Sequence, residues 1–353
     1  MMNGPRFGTQ TLGSALLSLL VLLLAFLAIR PRFLEGRLRL DDQHILTPTE
    51  VKTIPKDHLQ VVLGRDLGET EREFKTQLLR LIMERSGVPY VFGLTAEDLS
   101  QDAAVDALAS GQLVGEDNPH AITVGAYGAG RTLNERLRVV SIPIAGGVPG
   151  LRLGWTHEKR LSKLAAVRDL DDLRSITLLQ GHGWSGLDIF DASGLRTYES
   201  ASDDLFRLVE QQRVDLYPQG IAEIQSEFVV ADRFSDSLVI EPNLLLVYPH
   251  AVFFYVSPDN KKLADAIKTG FETIIADGSY QTLLETLVYT PWLRDQLSLK
   301  TRRVIFIPNP QAHGVLDVVD PSDWIVPWGR LADGEITTGV ELCAFSGLKA
   351  LCN

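Results

Sequence analysis

The chain has 353 residues, 45% of them hydrophobic and 22% charged, with a formal net charge of -11. That composition belongs to a folded protein long enough for two compact domains, and it excludes a disordered chain. The acidic balance, without clustered Lys and Arg, excludes a nucleic acid partner held through its phosphates.

The first element is an apolar segment. No charged residue lies between Arg6 and Arg30, and Leu12 to Ile29 is nearly continuous Leu, Val, Ala and Phe. This is the pattern of a signal or membrane anchor, and its length together with Phe26 near a cut at Ala28 favours an uncleaved anchor. No cysteine follows it, which excludes a lipoprotein anchor. The arginines at 30, 32, 37 and 39 stand against Arg6 alone on the other side, and by charge bias they argue for the opposite orientation. Residues 31–54 read as a tether.

Beyond it the pattern alternates strand and helix. His58 to Gly64 and Tyr90 to Leu94 are strands, with a helix from Glu71 to Ser86 between them and a second helix carrying Ala104, Leu108 and Leu113. Ala121 to Ala126 is a third strand. After Gly146-Gly147 and Pro149-Gly150 the alternation restarts, with strands at Ile176 to Leu179 and Thr197 to Glu199 and helices at Leu187 to Ala192 and Ser202 to Gln212. Val252 to Val256 is an apolar strand, and Lys261 to Leu287 is a helix broken near Gly278. This rhythm predicts an α/β protein with helices covering parallel strands. Cys343 and Cys352 are too far apart for a CxxC element and read as two separate thiols or a local disulfide.

Thr132-Leu-Asn-Glu-Arg136 before Ser141-Ile-Pro143, the Leu179-Gln-Gly181 turn, Arg213-Val-Asp215 and Ala276-Asp-Gly-Ser-Tyr280, in this order over residues 57–290, resemble the family 3 solute-binding proteins of amino-acid ABC transport. The resemblance implies a two-lobed type II periplasmic-binding-protein fold with two hinge crossings. Lobe one would be 55–145 plus 248–310, lobe two 146–247, and 311–353 a C-terminal extension. It further implies a small polar or anionic, amino-acid-like solute, periplasmic localisation, and either an ABC permease or an envelope signalling protein as partner. The inner membrane would be reached through the N-terminal segment.

Ligand contacts are expected at Tyr127, Thr132 and Arg136 in lobe one, and at Gly181, His182, Gly183, Trp184, Gly220 and Glu223 in lobe two; the resemblance points to Arg136 and to the place of Gly220. Arg136 is the expected carboxylate partner, with Arg131 as its rival and a solvated surface arginine as the alternative. Gly181 to Trp184 offers backbone N–H groups at a helix start, or is simply a tight turn. Trp184 covers the solute or packs in the core. Where related amino-acid binders carry an Asp for the ligand amine this chain has Gly220, with Glu223 as a substitute acceptor or a solvated helix carboxylate. Arg65-Asp-Leu-Gly68 also replaces the usual Pro-aromatic pair. No HExxH, GxSxG or GxxxxGK[ST] pattern is present and the seven histidines are scattered, so neither catalysis, metal nor cofactor is expected. A reporter active only outside the cytoplasm, fused after residue 310, is expected to be active; an inactive but stable fusion overturns export.

Overall fold

The apolar run of β1 (Leu59–Leu63) is buried on both faces, as suits an inner parallel strand. A computed structural model describes residues 44–353 apart from 66–71, 96–98, 183, 185, 202–203 and 353. The proposed anchor and most of the tether lie outside the described residues. Among those described, no helix is long and apolar enough to cross a membrane.

The first lobe follows as α1 (Phe74–Arg85), β2 (Tyr90–Leu94), α2 (Gln101–Ala109), β3 (Val124–Gly128), α3 (Arg131–Arg136) and β4 (Arg138–Val139). The second contains β5 (Leu151–His157), β6 (Thr177–Gly181), α4 (Gly186–Ala192), β7 (Arg196–Ser200), α5 (Leu205–Glu210), β8 (Tyr217–Gly220), α6 (Ile224–Phe234), β9 (Leu238–Ile240) and β10 (Leu244–Val247). The chain then returns through β11 (Val252–Val256), α7 (Lys261–Ala276) and α8 (Ser279–Leu287), and goes on to α9 (Pro291–Leu297) and β12 (Arg303–Phe306).

The first sheet has the order β2-β1-β3-β11-β4, in which β11 runs antiparallel to both neighbours. Its one face meets α1 and α7. Leu78, Leu79 and Ile82 of α1 interlock with Leu263, Ile267, Phe271 and Ile274 of α7, each side chain worth about 1.5–3 kcal/mol on full burial. A Cβ on Gly270 would collide with the Ile82 carbonyl, so glycine sets how closely these helices cross. Gly278, with φ +82°, ends α7 and starts α8.

The second sheet has the order β12-β10-β5-β8, with β9 pairing farther along β5 and a separate parallel pair β6-β7 beside it. Within 248–310, β11 and α7 lie with the first sheet, but the later part does not: β12 pairs in parallel with β10, and α9 packs on α6 through Trp292 against Phe228, ring centroids 5.1 Å apart. A buried guanidinium fixes this return. Arg302 donates to the carbonyls of Glu241 at 2.6 Å, Leu244 at 2.8 Å and Gln296 at 3.1 Å, and burial lowers its pKa to about 10.

The expectation of two crossings is corrected as well. Residues pass from one lobe's core to the other's at 144–148 and 248–251, again between Tyr280 and Leu293, between Ile307 and Val315, and between Val319 and Leu331. The C-terminal extension therefore belongs to both lobes. It continues through α10 (Trp328–Ala332) and α11 (Gly339–Leu342) and closes on a Cys343–Cys352 disulfide. Both cysteines are expected to resist thiol labelling in native protein until reduced, and reduction is expected to cost about 2–3 kcal/mol for so short a loop; free labelling of the native protein would contradict the bridge.

Candidate functional site

The expected first-lobe residues sit on or beside α3. Arg136 and Thr132 are exposed, and Arg136 forms an ion pair with Asp106 of α2. Tyr127 lies half-buried over Gly125, tilted against Tyr255 with centroids 6.2 Å apart. Asn134, on the same short helix, accepts from the Tyr255 hydroxyl at 2.8 Å and donates to the Val315 carbonyl at 3.2 Å, which joins α3 to the C-terminal extension.

In the second lobe the Gly181 turn spends its amides internally. His182 N–H donates to the Ser200 carbonyl at 3.0 Å, Trp184 N–H to the Gly181 carbonyl at 3.2 Å, and the Trp184 ring occupies the space where a Gly181 side chain would stand. Trp184 itself stacks on Tyr217 in the core, centroids 6.4 Å apart, and His182 pairs with Glu199 at 2.9 Å. These contacts describe a tight turn; Gly183 lies outside the described residues. Asp215 is likewise structural, holding Lys163 at 2.6 Å and the Thr177 amide at 2.9 Å.

Gly220 and Glu223 do come together. Glu223 folds back so that its Oε2 accepts from the Gly220 amide at 2.9 Å, and a Cβ on Gly220 would lie only 3.1 Å from that oxygen. The carboxylate thus fills the place a side chain at 220 would take. It stands 3.5 Å from Nη1 of Arg152, and its side chain remains 52% exposed.

Arg152 is the residue that pattern reading missed. It lies at the start of β5, 9% exposed, paired in register with Gly220 on one side and Leu246 on the other. Its guanidinium sits over the Tyr248 ring, 5.2 Å from the centroid, and Nε has no hydrogen-bond partner. The buried Tyr248 hydroxyl also lacks a partner of good geometry. Burial disfavours the charge on Arg152, but Tyr248, Glu223, Glu227 and Tyr217 outweigh it and the net shift is upward. His250, buried close by and stacked edge-on to Tyr248, is pushed down to about 3 by burial and by the Arg152 charge, so it stays neutral. The available signal was an arginine inside an otherwise apolar strand, a type that is rarely buried without a partner.

Beneath this cluster Glu227 accepts from Trp155 Nε1 at 2.9 Å and from the Tyr217 hydroxyl at 3.2 Å, and also from Gln219. Burial, with Glu223 nearby, raises it to about 8. Among the described residues no group of His, Cys, Asp and Glu has the arrangement to hold a metal ion.

Mixed α/β lobes of this kind are similar to the two-lobed periplasmic binding proteins. No protein-family model and no curated protein matches the chain. Solved structures do. An ancestral arginine-binding protein bound to arginine is 14% identical over 66% of this chain and 99% of its own, with a TM-score of 0.46. A probable amino-acid ABC transporter extracellular-binding protein from Bacillus subtilis is 12% identical over 65% and 98%, TM-score 0.48. A histidine kinase sensor domain with similarity to periplasmic binding proteins is 14% identical over 66% and 98%, TM-score 0.46.

The raised Glu227 pKa carries a pH dependence of definite sign. A protonated group favoured in the folded state stabilises fully below its unfolded value of about 4.5, and that stabilisation is lost as pH rises through about 8. Glu227→Gln keeps the shape without the charge. The stability of the native protein relative to this variant is expected to fall between these pH values in urea titrations, and a constant difference would refute the assignment.

Proposed function

We propose that this chain is an exported solute-binding protein that holds a small zwitterionic or anionic solute between its lobes, with Arg152 as the cation and Glu223 as the acceptor for an amine. The observation that carries the reading is a buried guanidinium whose Nε has no hydrogen-bond partner, set over the Tyr248 ring and next to a half-exposed carboxylate. Unmet buried donors cost on the order of 1–3 kcal/mol each, and a ligand carboxylate relieves that cost. Glu223 is a single acid against one arginine, so a zwitterion leaves the charges balanced while an isolated cation does not. Export is supported by the apolar segment before Arg30 and by the disulfide, a bond that persists in oxidising compartments. Within this reading the chain serves an ABC-type transporter as its receptor. The alternative role, an envelope sensor or interaction module, is favoured by the extra passes between the lobes.

A thermal-shift screen of the full-length protein against amino acids, short peptides and organic anions tests the site. A ligand at 100 times its Kd is expected to stabilise by about 2.7 kcal/mol. Arg152→Gln is expected to weaken binding by on the order of 2–5 kcal/mol, about 30-fold or more, whereas Arg136→Ala leaves it unchanged. Persistence of the ligand shift in Arg152→Gln, or its loss in Arg136→Ala alone, would move the site elsewhere.

A further inference from the structure

A hinge between two lobes works when a few backbone torsions can change without disturbing packed neighbours. The first crossing has residues suited to this, Gly146 with φ +56° and Gly147 with φ +88°. Neither is left free to move. The Gly146 carbonyl accepts from the amides of Ile325 at 2.9 Å and Val326 at 3.3 Å, and the Ile325 side chain fills the space over Gly146. Trp324 and Trp328, edge to face with centroids 6.4 Å apart, cover Gly147, and Trp328 also covers Gly150.

The second crossing is held by the same part of the chain. Ile307 N–H donates to the Val247 carbonyl at 2.8 Å, and Asn309 Nδ2 to the Pro249 carbonyl at 2.8 Å. From there Gln311 reaches Asp188 of α4 at 3.0 Å in the second lobe. Four residues later the Val315 carbonyl accepts from Asn134 of α3 in the first lobe. The remainder is anchored in the second lobe, where Leu331, Ile336, Leu342, Leu348 and Leu351 enter the core. Residues 44–353 accordingly form one compact unit although they carry two separate main sheets.

We propose that residues 307–353 are a hinge clamp, which holds the lobes in one arrangement and must let go of Gly146, Gly147 and Gly150 before they can swing. Small rotations at the crossing would drive backbone into the indole of Trp328 and break both amide bonds to Gly146, so the torsions that would serve a hinge are locked by packing. This inference does not depend on what the cleft binds, and it stands or falls separately from the Arg152 site.

The test uses the full-length protein with its disulfide intact and spin labels at Lys262→Cys on the first lobe and Asp232→Cys on the second, both exposed positions. Pulsed electron–electron distance measurement is expected to give one narrow distribution, and adding Ile325→Ala with Trp328→Ala is expected to broaden or shift it while the circular dichroism stays native. An already broad distribution in the parent, or an unchanged narrow one in the folded double variant, overturns the clamp. If the double variant does not fold, native-state hydrogen exchange of the unsubstituted protein decides. The amides of Gly150, Tyr248 and Ile325 are then expected to exchange within about tenfold of core amides such as those of Leu153 and Val256, through global unfolding only. Faster exchange of the three through a local opening refutes the proposal.

Discussion

The packing of Trp328 and Ile325 against the bare backbone of Gly146, Gly147 and Gly150 is the contact on which the rest of the molecule depends. Close packing of an indole on glycine backbone leaves no slack, because the interior tolerates neither a void nor an added methyl without strain. A side chain at 147 or 150 would collide with the indole, and loss of the indole would leave a cavity between the lobes. Lobe position, the course of the C-terminal segment and the placing of Tyr248 at the other crossing therefore follow from one junction. Arg302 plays the complementary part at the far edge of the second sheet, where the carbonyls of Glu241, Leu244, Gln296 and Leu297 are gathered around one cation.

Electrostatics near Arg152 is organised by burial. A guanidinium keeps its proton at neutral pH, so the surroundings must supply negative charge or acceptors. Glu223 supplies part, from a half-exposed position where water weakens the attraction. Glu227 is deeper and supplies less than its distance implies, since burial and the charge of Glu223 raise it to about 8 and leave it largely protonated at neutral pH. Two carboxylates one helical turn apart are thus separated in role: Glu223 is half-exposed beside Arg152, and Glu227 is buried, raised in pKa and hydrogen-bonded to Trp155, Tyr217 and Gln219. Arg152 nevertheless keeps its charge, because its neighbours together outweigh its burial, and His250 takes none, because burial and then the Arg152 charge push it down to about 3.

Elements with a strong local pattern were legible in the sequence. Tyr90–Leu94 and Val252–Val256 are apolar runs of strand length, and the break of α7 from α8 is announced by Gly278. The helix placed over Leu113 stops at Ala109, since Gly111 at φ +68° turns the chain out and leaves Leu113 exposed. β5 was not legible because Arg152 and His157 interrupt its apolar run, although every residue of it is buried. Pro218 hid β8, and proline is tolerated there because β8 is the edge of its sheet. The C-terminal segment carries no period of either kind; its short turns rest on local caps such as Thr338 with Glu341, on the Cys343–Cys352 bridge and on tertiary contacts. The nearness of Glu223 to Gly220 was legible as one helical turn, whereas Arg152 is set by strand pairing and Arg136 is drawn to Asp106, a partner thirty residues earlier.

A clamped hinge changes what ligand binding can do. A solute shifts an interlobe equilibrium only by the difference in its affinity for the two arrangements, and moving a population from 1:99 to 99:1 needs about 5.5 kcal/mol of such difference. Partly buried Trp324, Ile325 and Trp328 together oppose release by an amount of the same order, at about 1.5–3 kcal/mol for each fully buried side chain. A micromolar solute has about 8 kcal/mol in total, most of it available in either arrangement. Under the proposed clamp, ligand energy at Arg152 is spent on satisfying buried donors, and little is left for swinging the lobes. A receptor that announces its cargo by closing needs the larger motion. A module that presents one fixed surface, altered locally at Glu223 and Tyr248 when solute binds, does not.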